Sequence, residues 1–417
     1  RRQLVEREHD VGADLVLELP VSVSTGSAEY FAQGTVSLLD HLGCVSHLGF
    51  GSESGKVRGF LLAGEVLSEE PEAYRNFLRR FLNAGMSFPK ARYEALSLFL
   101  KTVYGMSEHE NSLHNKLPGG QPLTPPDIQD ILISLESPNN ILGAEYCKAL
   151  YKLRSSIVPV TVRRLGSGYH EALHSAGEYS CTDNASDING KSSPAAPPSQ
   201  NGAMPSPQYA SASGLRKAFL SSPDKDERDK LLQHYVPDAC QSLYSEALDQ
   251  KQYVTFDALY LPLYYTLQYT DGDTLNRYQD VTPAFSDRLL QVFRQCSSVA
   301  ELCAAMKTKN LTSTRISRSL LHILLRITKE DLAQEKRQGA ALYARILGFR
   351  RQAQPLLSEI RRRASIPLIS KLADAPNYLS PPALAQLERT IKASELYRAA
   401  LPGTSPGSEY TQNIIIL

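Results

Sequence analysis

No stretch of this 417-residue chain approaches the ~20 consecutive apolar residues that a membrane span requires. The start, Arg1-Arg2-Gln3, lacks the zones of a secretory leader, and the closing Ile414-Ile415-Ile416-Leu417 is too short for an anchor and reads as a cut end. Six cysteines (44, 147, 181, 240, 296 and 303) contain no Cys-x-x-Cys pair. That spacing points to neither a zinc site nor a disulfide framework and fits a reduced, cytosolic setting. None of the nine histidines stands in a His-x-x-His arrangement. The formal net charge is only +1, which by itself argues against a dedicated nucleic-acid binder.

What is present is more informative. Hydrophobic content of 42% and charged content of 21% describe an ordinary globular protein, long enough for two or three domains. The charge is segregated: residues 307–371 hold 15 Lys or Arg against 4 Asp or Glu, a local balance of +11 that leaves −10 on the rest. Separation on that scale produces a field able to hold a polyanion.

The chain is organised around residues 12–54, which read as strand, helix, strand and loop. Residues 14–19 (DLVLEL), stopped by Pro20, suit a buried strand of a parallel sheet. Ser27 is an N-cap for a helix whose apolar face is Phe31, Val36, Leu38 and Leu39, ending near Leu42 and Gly43. A second strand, 45–50, delivers the loop Gly49-Phe50-Gly51-Ser52-Glu53-Ser54 at its carboxyl end. That end of a strand is where open α/β sheets bind ligands, and glycine lets backbone approach a phosphate or base. Alone, such a loop is equally well an ordinary turn.

Three later stretches read as further walls of one nucleotide pocket: SPNNILG at 137–143, RRLGSGYH at 163–170 and SASGLRK at 211–217. Together with ADLVLELP, SAEYFAQGTVSLL, FGSES, KTKNLTSTR and LLHILL, in that order, they resemble the bacterial tRNA(Met) cytidine acetate ligase family over nearly the whole chain. That family belongs to the nucleotidyltransferase superfamily named for its His-x-Gly-His signature. The resemblance implies that acetate and ATP, with magnesium, give acetyl-adenylate and pyrophosphate. The acetyl group then passes to the exocyclic amine of the wobble cytidine of elongator tRNA(Met). One departure stands out: the family's opening strand and Asn-Pro-Phe-His-Asn-Gly-His loop are absent here, and residue 1 reads as already inside a helix. The expectation is an amino-terminally truncated fragment rather than a degenerate member, with no nameable catalytic residue and with weak ATP binding and poor adenylation.

The implied fold is α/β: a Rossmann-like nucleotidyltransferase domain with a parallel sheet over 1–218, followed by an all-helical tRNA-binding domain over 219–417. Residues 65–104 read as two helices broken at Phe88-Pro89; 127–135 and 139–153 are helical, and 157–165 is a strand. Residues 171–210, dominated by Ser, Ala, Pro, Asn and Gly, predict a flexible insertion. Beyond Leu220 only helices are expected, with 259–269 as aromatic helix core.

For ATP the candidates are Gly51, Ser52, Glu53, Asn139, Asn140, Arg164, Ser211, Ser213 and Arg216. Asn139 and Asn140 open a helix and offer amides to a ligand above the sheet, with simple capping as the alternative; Arg164 arrives at a strand end as a bidentate donor, or is a solvated surface residue. Gly214 stands where the family pattern has a hydroxyl residue. His170 is not expected to catalyse. For tRNA phosphates the resemblance points to Lys307, Lys309, Arg315 and Arg318, with Arg361-Arg362-Arg363 as either helpers or a solvated charge run. No metal ligands, membrane contact or protein partner are expected. Two other classes fit parts of the pattern: a catalytically impaired tRNA-binding relic, and a nucleotidyltransferase acting on a small metabolite.

Overall fold

The computed structural model describes residues 12–53, 55–86, 88–104, 132, 138–164, 211–221, 224–308, 311–403 and 407–417. They fall into two compact units, Arg1–Arg164 with Gln250–Leu417, and Leu165–Asp249. The expected helix at 127–135 apart from Leu132, the 166–170 loop, the insertion at 171–210 and Lys309 lie outside the described residues.

In the larger unit, strand β1 (Leu15–Glu18) leads through the short helix Val21–Ser24 to α1 (Ala28–His41) and strand β2 (His47–Ser52). Ser27 caps α1 as expected, its hydroxyl accepting from the Tyr30 N–H. Helices α2 (Val57–Glu69), α3 (Glu72–Asn83), α4 (Phe88–Tyr104) and α5 (Pro138–Leu153) follow, then strand β3 (Val158–Arg163). β2 and β3 pair in parallel, from His47 opposite Val158 to Ser52 opposite Arg163. Leu48 and Phe50 pack against α1 and α5 through Ala32, Val36, Tyr146 and Leu150. The opposite side of α1 carries Leu38 and Leu42, which join Ala344 and Ile360 in another cluster. One amphipathic helix therefore serves two sheets.

Three expectations need correction. Residues 14–19 do form a strand, but β1 pairs antiparallel with β4 (Ala344–Phe349), not within a parallel sheet. The region after Leu220 is mostly helical yet not wholly so. β4 is buried along its full length, and β5 (Leu368–Ile369) and β6 (Ile415–Ile416) pair in parallel with its two ends. A six-residue apolar run with an Arg inside it has no period long enough to separate strand from helix. Residues 65–104 hold three helical segments instead of two. α2 ends at Glu70 before Pro71, α3 ends at Ala84-Gly85, and Phe88 begins α4. A Pro near a helix start initiates rather than breaks, because the first turn has no use for its missing N–H.

Helices α2 and α5 cross at close range. A Cβ on Gly64 would lie 2.6 Å from the Cys147 carbonyl carbon and the Lys148 nitrogen, both backbone atoms of α5. Gly64→Ala must push the helices apart, so about 1–3 kcal/mol of stability should be lost in urea unfolding. An unchanged midpoint would refute that close packing. Cys147 beside this crossing is inert, since burial pushes its thiol up to about 12.

The smaller unit holds α6 (Ala212–Ser221), α7 (Lys225–Tyr235) and α8 (Asp238–Asp249). From Gln250 onward the larger unit continues with α9 (Tyr260–Gln268), α10 (Pro283–Val292), α11 (Val299–Met306), α12 (Ser313–Leu324) and α13 (Lys329–Arg337). The first four of these enclose a core of Leu263, Leu267, Phe285, Leu302, Ile316 and Leu320. The aromatic 259–269 stretch is core only on its Leu263 and Leu267 side; Leu261, Tyr265 and Tyr269 are exposed. Helices α14 (Gln354–Arg363) and α15 (Pro381–Ala399) complete the unit. Among the described residues no helix is long and apolar enough to cross a membrane.

Polar groups tie the amino-terminal elements to the carboxyl-terminal ones. The buried Glu335 accepts from the Ser22 hydroxyl at 2.7 Å, the Tyr30 hydroxyl at 2.8 Å and Arg389 Nη2 at 2.5 Å. Burial and the adjacent Glu335 raise the Tyr30 phenol, which keeps its proton and donates.

Candidate nucleotide site

Because β2 and β3 run parallel and in register, their carboxyl ends meet. The Arg164 N–H, one residue past β3, donates to the Ser52 carbonyl at 2.9 Å. A Cβ on Gly51 would sit 3.4 Å from Arg164 Cγ, so the arginine stem lies over the glycine. Its guanidinium Nη1 ends 3.9 Å from Glu53 Oε1, with side-chain exposures of 42% and 40%. An ion pair so open to water contributes little to stability and leaves the arginine available to an incoming anion.

Beneath this exposed layer the turn is held by buried groups. Ser52, wholly buried, accepts the Gly55 N–H on its hydroxyl at 2.8 Å. Asn140, in the first turn of α5, accepts the Glu53 N–H on Oδ1 at 3.2 Å. The structure thus brings Gly51, Ser52, Glu53, Asn140 and Arg164 together, five of the nine residues chosen for ATP. Asn139 belongs to the first turn of α5. Ser211, Ser213 and Arg216 belong to the smaller unit. There Ser211 caps α6 by accepting the Gly214 N–H at 3.0 Å, and Arg216 Nη2 donates to the Ser213 hydroxyl at 3.4 Å. What sequence reasoning missed is that Ser52 and Asn140 face inward: burial of a short polar side chain leaves no mark in the local pattern.

Among the cations chosen for RNA, Lys307 is exposed at the end of α11 and Arg315 is half-buried in the first turn of α12. Arg318 is engaged inside the protein: its Nε donates to Asp280 Oδ2 at 2.7 Å, and the fully buried His322 lies 3.7 Å from the same oxygen. Arg362 and Arg363 both pair with Glu359, while Arg361 is exposed.

The family described as HIGH Nucleotidyl Transferase matches residues 10–191 and 198–412. The tRNA(Met) cytidine acetate ligase of Acetivibrio thermocellus is 32% identical over 410 residues, spanning 97% of this chain and 85% of that protein. That of Clostridium acetobutylicum is 31% identical over 406 residues, with the same two coverages. This chain belongs to the tRNA(Met) cytidine acetate ligase family. Family membership makes it a ligase on a nucleotidyltransferase fold. Solved structures agree on the fold: Thermotoga maritima TmcAL without ligand gives a TM-score of 0.79 at 22% identity, covering 100% of this chain and 88% of that one. A second form of that ligase, bound with alpha-thio ATP, gives 0.78 at 22% identity, covering 100% and 87%.

Proposed function

We propose that this ligase binds ATP at the joined ends of β2 and β3, activates acetate as acetyl-adenylate, and passes the acetyl group to N4 of the wobble cytidine of elongator tRNA(Met). The observation that carries the reading is the convergence of Gly51, Glu53 and Arg164, 113 residues apart at the extremes, at one pair of strand ends. Relatives that match 97% of the chain bear the corresponding name. In this reading Gly51 allows close approach of the nucleotide, and Arg164 leaves Glu53 to neutralise phosphate charge. The backbone N–H of Asn139, in the first turn of α5, supplies a further donor. Residues 1–218 do the nucleotide chemistry and 219–417 hold the tRNA, in a cytoplasmic setting. ATP enters with magnesium as substrate, beside acetate.

Acetate is a poor acyl donor, and the cytidine amine is a poor nucleophile because its lone pair is delocalised into the ring. Adenylation supplies a good leaving group, so the protein's task is alignment and charge neutralisation. Acetate-dependent pyrophosphate exchange into ATP, followed by acetyl transfer to a tRNA(Met) transcript, tests the reading. The charge segregation favours a second reading, tRNA binding without catalysis. Binding that is indifferent to ATP and acetate, with no exchange, would decide for it. Arg164→Ala should weaken ATP binding about tenfold while moving stability by less than ~0.5 kcal/mol, as expected of an exposed side chain. Unaltered ATP affinity would remove the strand-end site.

A further inference from the structure

We propose that Asn140 is a positioning residue: it shapes the turn after β2 that faces ATP, and does not touch the nucleotide. This rests on the reading of the β2 and β3 ends as the ATP site.

The side chain has almost no surface to offer, since Asn140 is 1% exposed. Its Oδ1 already accepts the N–H of Glu53, 87 residues earlier in the chain. Capping does not account for it either. Helix α5 starts at Pro138, so Asn140 is the third helical residue, and its side-chain oxygen serves a different element from its own helix.

The turn is clamped from two sides. Ser52, on the strand, takes the Gly55 N–H; Asn140, on the helix, takes the Glu53 N–H. Two buried acceptors therefore fix the backbone that carries the Glu53 carboxylate toward Arg164. The helix cannot slide away from this duty. One turn further on, a Cβ on Gly143 would meet Phe50 Cε2 at 2.7 Å and Phe60 Cε1 at 3.1 Å, so α5 is wedged against the end of β2. Fixing a binding turn before the ligand arrives removes an ordering cost that would otherwise be taken out of affinity.

The experiment combines ATP titration calorimetry with hydrogen exchange at the Glu53 amide. Asn140→Ala should weaken ATP binding about tenfold and speed Glu53 exchange at least tenfold. Asn140→Asp, which keeps an acceptor oxygen in place, should restore both. Ser52→Ala removes the other clamp and should weaken ATP binding in the same direction, so the idea stays testable if an Asn140 variant fails to fold. Weaker ATP binding in Asn140→Ala with unchanged Glu53 exchange would mean direct contact and overturn the proposal. Faster exchange with unchanged affinity would overturn it too, provided Arg164→Ala does weaken ATP binding. If Arg164→Ala has no effect either, or the wild-type chain takes up no ATP, the site reading itself falls and this inference with it.

Discussion

Arg345→Ala should cost the fold about 3–5 kcal/mol, the range for breaking a buried ion pair by removing one partner. Arg345 is 2% exposed and donates to Glu18 Oε2 at 2.8 Å and Glu409 Oε2 at 2.7 Å. Those three residues belong to β1, β4 and the turn before β6, so one guanidinium joins segments from opposite ends of the chain. Removing it leaves two carboxylates in an environment built for a cation between them. Replacing all three by apolar residues of similar volume should instead be nearly neutral, because the desolvation cost of the charges disappears with them. Urea unfolding of the single and triple variants checks both statements. A single variant within ~1 kcal/mol of wild type would mean that solvent reaches the cluster and screens it.

Reversing Lys307 and Arg315 together to Glu should lower tRNA affinity by at least an order of magnitude. It should also flatten the dependence of log affinity on log salt by about 2, roughly 1 for each phosphate that is no longer neutralised. The control that gives this force is Arg318→Glu. Because Arg318 sits on Asp280 beside the buried His322, reversing it should chiefly destabilise the helical core and leave the salt slope of the folded fraction near the wild-type value. Filter binding at several salt concentrations, paired with thermal unfolding, separates the two. An unchanged slope in the Lys307 and Arg315 variant would exclude this surface from the RNA interface.

The same distinction changes what the charge segregation means. The +11 excess over residues 307–371 is real as a count, but several of those cations already have partners within the protein, two of them away from the surface. Arg345 is buried between two glutamates, Arg318 pairs with Asp280, Arg362 and Arg363 share Glu359, Lys329 donates to the Asn276 carbonyl, and Lys336 lies over the Tyr30 ring. Ten of the fifteen, Lys307 and Arg326 among them, are nevertheless exposed. A count of charges along a chain cannot tell a cation aimed at solvent from one aimed at a carboxylate 327 residues away.

Local signals carried far in this protein. The Ser27 cap, the periodic face of α1, the helix after Ser137 and the strand before Arg164 were all readable, because each depends on residues within a few positions of one another; the strand at 45–50 was readable too, though it runs on through Gly51 to Ser52, where a loop was expected. The ordered motifs also identified the family. Left to the tertiary structure were the partners of those elements. Nothing near Leu15 announces that β1 will pair antiparallel with a strand some 330 residues later, and nothing near Asn140 says that its amide oxygen will meet the Glu53 N–H. Sheet pairing and buried hydrogen bonds are satisfied by whichever complementary group folding brings close, and chain separation leaves no local trace of that choice. Sequence by itself determined the parts, the family and the residues suited to phosphate; only three-dimensional packing decided which of those residues reach solvent and which hold the others in place.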